Sequence, residues 1–258
     1  MPRPQSRDST DSNQEEVQDD PFWNQGDFTL ISSDGWRLRA PSFLLFYASA
    51  VLRDAQSCTT SKSPKEIHFT DLELERRDVL NIFLYLLVFP TRTFQIDHDL
   101  DLCLSLIGFL QKYDCPQVIE IFRLSLTRIL VEEEDWSAVE IFALGAVLDD
   151  SILCSTAVFY EERARRERPD SEHFSVRDIP IAALEHIPQE YLRGLADAVP
   201  ECEGKRCDCP HDQDSSRAVN FEANVVELQQ EMKLAREKRR RPDNESDSQL
   251  RRKKKKRV

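Results

Sequence analysis

The sequence predicts an α+β chain, and three observations carry that reading. Short alternating runs ("DFTLIS", "WRLRA", "EIHFT") come early, long runs with helical periodicity follow them, and the last half has helical patterns alone. Taken in order these give β-β-α-β-α-α-α and then helices, which puts a small three-stranded sheet beside helical hairpins, followed by an all-helical extension.

Each element follows from local chemistry. From Asp27, Phe28 and Leu30 alternate with Thr29 and Ile31, "SDG" supplies a turn, and Trp36, Leu38 and Ala40 alternate again, which reads as a hairpin. Pro41 suits the first turn of a helix, and "SFLLFYASAVLRDAQ" continues from it as one helix. Leu44, Leu45, Ala48, Val51 and Leu52 form a stripe suited to a core, while Phe43, Phe46 and Tyr47 lie largely outside it. That helix therefore has more apolar surface than one buried face needs. "EIHFT" is the third strand, and "LERRDVLNIFLYLLVF" is a helix that stops at Pro90. "DLDLCLSLIGFLQKYDC" and "PQVIEIFRLSLTRILV", the latter opened by Pro116, are two more.

Downstream, "DWSAVEIFALGAVLDD" and "SILCSTAVFYEERARRE" pair as antiparallel helices, because "DDS" offers a turn and a new N-cap. "IPIAALEHI" and "QEYLRGLADAV" are shorter helical segments. A last helix over residues 216–241 spaces Val225, Leu228, Met232 and Ala235 as a coiled coil would, for about two heptads. No repeat of solenoid length is present.

The net charge of −12 is unevenly distributed. Residues 216–258 hold 14 Lys/Arg against 7 Asp/Glu, so they carry +7 and residues 1–215 carry −19. An acidic body repels nucleic acid and anionic membrane, and only the basic tail suits such a partner or an import receptor. Residues 1–20 and 242–258 have too little apolar content to offset their ordering entropy and are expected to be disordered. The longest apolar run, Val79 to Phe89, falls short of the roughly 18 residues a bilayer span needs. No signal-peptide order is present, so the seven cysteines are expected in a reducing compartment without a disulfide framework.

Two clusters carry chemistry worth weighing. "ECEGKRCDCPHD" (within the loop 201–215) holds Cys202, Cys207, Cys209 and His211, ligand types that suit zinc. Their C-x4-C-x-C-x-H spacing is crowded for a tetrahedron, so free thiols are preferred and no metal or other cofactor is assigned. "KRRR" (Lys238, Arg239, Arg240, Arg241) and "RRKKKKR" (Arg251, Arg252, Lys253, Lys254, Lys255, Lys256, Arg257) are separated by nine residues, as in a bipartite nuclear localisation signal; phosphate binding and a solubilising tail are the alternatives. The basic block follows the heptads, the reverse of a bZIP order. Six glycines with no phosphate-binding cluster and five scattered histidines give no catalytic pattern, so an enzyme is not expected.

The stretch from Asp27 to about Val131 resembles a BTB/POZ domain. The residues that carry the likeness are the "SDG" turn, "LRAPSFLLFYASAVL" at the family's first helical hairpin, the "EIHFT" strand and "KYDCPQV". Leu38, Ala40, Leu45, Ser49 and Leu52 fall on the family's core positions, and "FWNQGDFTLISSDG" with "KYDCP" is similar to the uncharacterised fungal BTB set. The resemblance implies a BTB/POZ domain over 21–131 and a BACK- or box-like helical extension over 132–200. It also implies self-association or a protein partner on the first helical hairpin, with Phe43, Phe46 and Tyr47 as the interface. Pro41 and Ser42 stand where the family commonly has His and Lys/Arg, leaving Asp27 without the basic partner of the corepressor pocket. The hydrophobic-x-Glu loop motif of cullin adaptors is missing from "VFPTRTFQIDHD".

The expected function is thus a non-enzymatic protein-interaction module acting in the nucleus, with the cytoplasm as the alternative location. The rivals are a substrate adaptor on a cullin scaffold and a nucleic-acid-associated factor using the tail.

Overall fold

In the computed structural model, which describes residues 17–57, 65–92, 99–132, 136–166, 174–198 and 213–240, the chain enters its sheet through β1 (Gln18–Asn24). The sequence reading put residues 1–20 in a disordered tail and expected three strands. Gln18 to Asp20 are strand, and the sheet has four. The correction has a tertiary cause: β1 alternates poorly and contains Pro21, yet it can lie at an edge because a proline there withholds no ladder donor.

β2 (Phe28–Ile31) and β3 (Trp36–Ala40) form the predicted hairpin, with Phe28 opposite Ala40 and Leu30 opposite Leu38. Ser32 N–H bonds to Trp36 O at 2.8 Å and Gly35 takes φ 83° in the turn, a conformation glycine adopts without a Cβ clash. β4 (Glu66–His68) adds to β2 in parallel, giving the order β1-β3-β2-β4.

β1 runs parallel to β3 but connects to β2, so the chain must cross the end of β3 within Gln25–Asp27. Gly26 is the crossing point. A Cβ there would lie 2.3 Å from the Ala40 carbonyl carbon, and φ is +150°. Only glycine fits both demands.

The expected single helix after Pro41 is two: α1 (Ser42–Ala48) and α2 (Ala50–Ser57), broken at Ser49, whose φ −137° and ψ 120° are extended. α3 (Arg77–Val88), α4 (Leu100–Lys112) and α5 (Pro116–Glu132) follow. Asp99 caps α4 by accepting from Leu102 N–H at 2.9 Å. α3 begins three residues later than the pattern implied, because Leu74 and Glu75 belong to the loop described below. Its buried residues (Val79, Leu80, Ile82, Phe83, Leu84, Leu86) surround more than half the helix. It packs on α4, where Phe83 and Phe109 rings lie 5.2 Å apart.

The chain divides into two units at Leu124/Ser125, inside α5, and not at the expected 131/132 boundary. The second unit is built round α6 (Ala138–Val147), which has no polar face and is buried from Ala138 to Ala146 except at Glu140. Ser137 opens it with a capping box to Glu140, and residues 133–135 lie outside the described residues. α7 (Ser151–Arg166) follows the turn at "DDS": Asp149 takes φ 56° and Asp150 caps α7 by accepting from Leu153 N–H at 2.9 Å. A short 3-10 turn (Val176–Asp178), α8 (Ile181–Leu184) and α9 (Gln189–Asp197) lead to α10 (Gln213–Arg240).

α10 was expected to stand apart from the 132–200 extension, and the structure corrects this. Phe221 is buried with Phe142 (5.4 Å) and Tyr191 (6.4 Å), and Arg217 is buried in an ion pair with Glu162 of α7, which also accepts from Phe174 N–H at 2.9 Å. Arg217 donates to Phe174 O as well.

Candidate protein-interaction surface

α1 is positioned at both ends by side chains distant in sequence. At its start Asp27 accepts from both the N–H and the hydroxyl of Ser42, each at 2.7 Å. Asp27 thus has a partner after all: Ser42, in the place of the missing base, uses the carboxylate as a helix cap supplied from the strand. The Ser42 hydrogen bonds hold the Asp27 carboxyl below its ordinary range, with Lys65 3.6 Å away adding to this.

At the far end Ser49 donates to Tyr113 O at 2.5 Å and accepts from Leu52 N–H at 3.0 Å, so one hydroxyl ends α1, caps α2 and ties both to α4. Sequence periodicity passes through this break because the signal for it is a carbonyl 64 residues away.

The three aromatics predicted to lie outside the core divide two to one. Phe43 and Tyr47, one turn apart on α1, are 69% and 73% exposed. Phe46 is half-buried, its ring edge-on to Phe28 at 5.3 Å, so it roots the helix on the sheet and only borders the outer face. Leu45, Ala48 and Leu52 take the core side as expected; Val51 does not, and is exposed.

Beneath this face lies a charged network that explains "KYDCP" residue by residue. Glu75, buried, accepts from Thr70 N–H and Asp71 N–H (both 2.7 Å), from Tyr113 OH (2.6 Å) and from Lys112 Nζ (2.8 Å). Lys112 also bonds to Asp71 at 2.9 Å, and Asp71 accepts from Glu73 and Leu74 N–H. Asp114 takes φ 48° and Cys115 N–H reaches back to Leu110 O, the helix stop in which the residue after the cap turns left-handed. Pro116 then starts α5.

The network sets its own protonation. Lys112 draws the Asp71 carboxyl down to about 2, and the bonds from Leu74 and Glu73 N–H assist. Burial pushes Glu75 up, but its hydrogen bonds from Lys112, Tyr113 and the two amides outweigh that and leave it below its ordinary value. Glu75, then Asp71, raise Lys112. Burial and the Glu75 carboxylate push Tyr113 well up, and burial takes the Cys115 thiol to about 12, which leaves it unreactive at neutral pH. Cys103 and Cys154 are buried thiols.

A second cluster pins β1. Asp20 accepts from Phe22 and Trp23 N–H (both 2.9 Å) and from Arg77 Nε (2.7 Å), while Trp23 Nε1 donates to Asn81 at 2.7 Å. Arg77 also stacks over Trp36 at 4.1 Å, and its N–H donates to Asp34, which caps α3 from the hairpin turn. Burial works against the charge on Asp20, yet the bonds from Trp23, Arg77 and Phe22 hold its carboxyl below the usual range. An Asp–Arg pair 57 residues apart leaves no periodic trace in the sequence.

The other predicted groups are not brought to this surface. Cys202, Cys207, Cys209 and His211 lie outside the described residues, as do Arg241 and Arg251 to Arg257. Lys238, Arg239 and Arg240 fall on the last turn of α10. Among the described residues, no three His, Cys, Asp or Glu side chains gather as a metal site, and no helix is long and apolar enough to cross a membrane.

No family model, curated protein or solved structure matches the chain.

Proposed function

We propose that the chain is a non-enzymatic protein-interaction module whose first unit, a BTB/POZ-type domain, associates with a second copy through α1, and that its basic runs direct it to the nucleus. One observation supports the reading above others: Phe43 and Tyr47 stand exposed on a helix whose opposite side is buried and whose two ends are held by side-chain hydrogen bonds. Aromatic side chains held rigidly lose little entropy on docking and are the usual anchors of an interface. The strand and helix order from Asp27 onward agrees with the order the resemblance implies.

Replacing Phe43 and Tyr47 with glutamine tests the self-association. Because both side chains already face water, the domain should keep its thermal transition. Association should weaken about a hundredfold, the order expected for two anchors. Unfolding of the variant, or an unchanged mass, would refute the surface. Removing residues 238–258 should abolish nuclear accumulation while leaving that association intact; retained nuclear position would refute the targeting role.

A further inference from the structure

Three hydroxyls of the described residues have a carboxylate three residues later in the chain: Thr70 with Glu73, Ser137 with Glu140 and Ser175 with Asp178. Their surroundings separate them. Glu140 turns back to accept from Ser137 N–H at 3.3 Å, and Asp178 accepts from the N–H and the hydroxyl of Ser175 at 2.7 and 3.2 Å. Both of those carboxylates are committed to capping boxes. Thr70 and Glu73 are both exposed in the loop between β4 and α3, and neither the Thr70 hydroxyl nor the Glu73 carboxylate has a partner among the described residues.

The backbone around them is held in place. Asp71 accepts from Glu73 N–H and Leu74 N–H, both at 3.1 Å, and Glu75 N–H donates to Asp71 O at 3.0 Å. Leu72, between Asp71 and Glu73, is 72% exposed. From Glu66 to Glu75 the chain has no Lys or Arg. The loop therefore offers a free hydroxyl followed by carboxylates one and three residues on, which is complementary to a basic cleft.

We propose that Thr70 is a phosphorylation site for a kinase that selects carboxylates on the C-terminal side of its hydroxyl, and that the added phosphate loosens the network around Glu75. In the transfer the Thr70 hydroxyl oxygen attacks the γ-phosphorus of Mg-ATP, the bond from that phosphorus to the β–γ bridging oxygen breaks, ADP leaves and the hydroxyl proton passes to the kinase. The product carries a charge of about −1.5 to −2 at neutral pH. It lies within one side chain's length of the Thr70 amide that donates to Glu75 at 2.7 Å, and it competes for that donor. Lys112 already serves both Asp71 (2.9 Å) and Glu75 (2.8 Å), so a third anion beside them adds repulsion that one cation does not offset. The site is independent of whether α1 meets a second copy.

The test treats the full chain with casein kinase 2, a kinase of this specificity, and Mg-ATP, and locates phosphate by peptide mass spectrometry. Ser12 and Ser63 share the spacing but lie outside the described residues, so the position must be mapped and not inferred from total incorporation. Phosphate is expected on Thr70 and not on Ser137 or Ser175. Glu73→Gln, which removes one charge-assisted contact with the kinase and none within the fold, should slow modification of Thr70 at least about tenfold. The modified chain should unfold at lower urea, followed by Trp23 and Trp36 fluorescence, whereas Thr70→Ala treated in the same way should keep the midpoint it has untreated.

No phosphate on Thr70, phosphate on Ser137 or Ser175 in its place, or an unchanged rate in Glu73→Gln would overturn the assignment. Phosphate on Thr70 with an unchanged or raised urea midpoint, or an equal fall in treated Thr70→Ala, would overturn its effect on the network.

Discussion

Glu75→Ala removes the acceptor of four hydrogen bonds at once, and its cost can be worked out from their surroundings. The Thr70 and Asp71 amides lie near enough to the surface to regain water, and Lys112 keeps Asp71 at 2.9 Å. The Tyr113 hydroxyl has no such replacement. Breaking a buried charged pair costs about 3–5 kcal/mol, and partial rehydration places this case at the low end, about 3 kcal/mol. Set against a usual domain stability of about 5–15 kcal/mol, that is a large fraction. Tyr113→Phe, which leaves Glu75 its other donors, should cost about 1 kcal/mol. Urea unfolding followed by Trp23 and Trp36 fluorescence reads both, since both tryptophans lie in the first unit. A loss below about 1 kcal/mol for Glu75→Ala would show that the network does not hold the loop before α3 and the end of α4 together.

Gly26→Ala forces a Cβ to 2.3 Å from the Ala40 backbone, so it should cost more than about 3 kcal/mol, the upper range for overpacking, in the same urea assay. Arg217→Ala removes the ion-pair partner of the buried Glu162 carboxylate, and should destabilise the second unit by about 3–5 kcal/mol, read from Trp136 in that unit. The Asp71 carboxyl is lower in the folded state (about 2) than its ordinary 3.8, so its contribution is complete above that ordinary value and is lost as pH falls through the folded one. Glu75, Asp20 and Asp27 shift in the same direction, and Asp71→Asn should flatten the acid-unfolding profile between roughly pH 4 and 2.

What could be read from the sequence was what depends on neighbours in the chain. The hairpin, the Asp99 and Asp150 caps and the α6–α7 turn all have their causes within a few residues. What could not be read depends on polar partners far along the chain. The break at Ser49 needs Tyr113 O, the fourth strand needs Asp20 on Arg77 and Trp23 on Asn81, and the inclusion of α10 in the second unit needs Arg217 on Glu162. Of the three aromatics named for the interface, Phe43 and Tyr47 stand outward, while the edge contact of Phe46 with Phe28 depends on a strand to which periodicity along the helix is blind.

The first experiment should be light scattering on the unaltered chain across a wide concentration range. Self-association through exposed apolar faces requires a mass above the 30.0 kDa of one chain, rising with concentration. A mass that stays at one chain throughout would contradict it and leave Phe43 and Tyr47 without a second copy to meet.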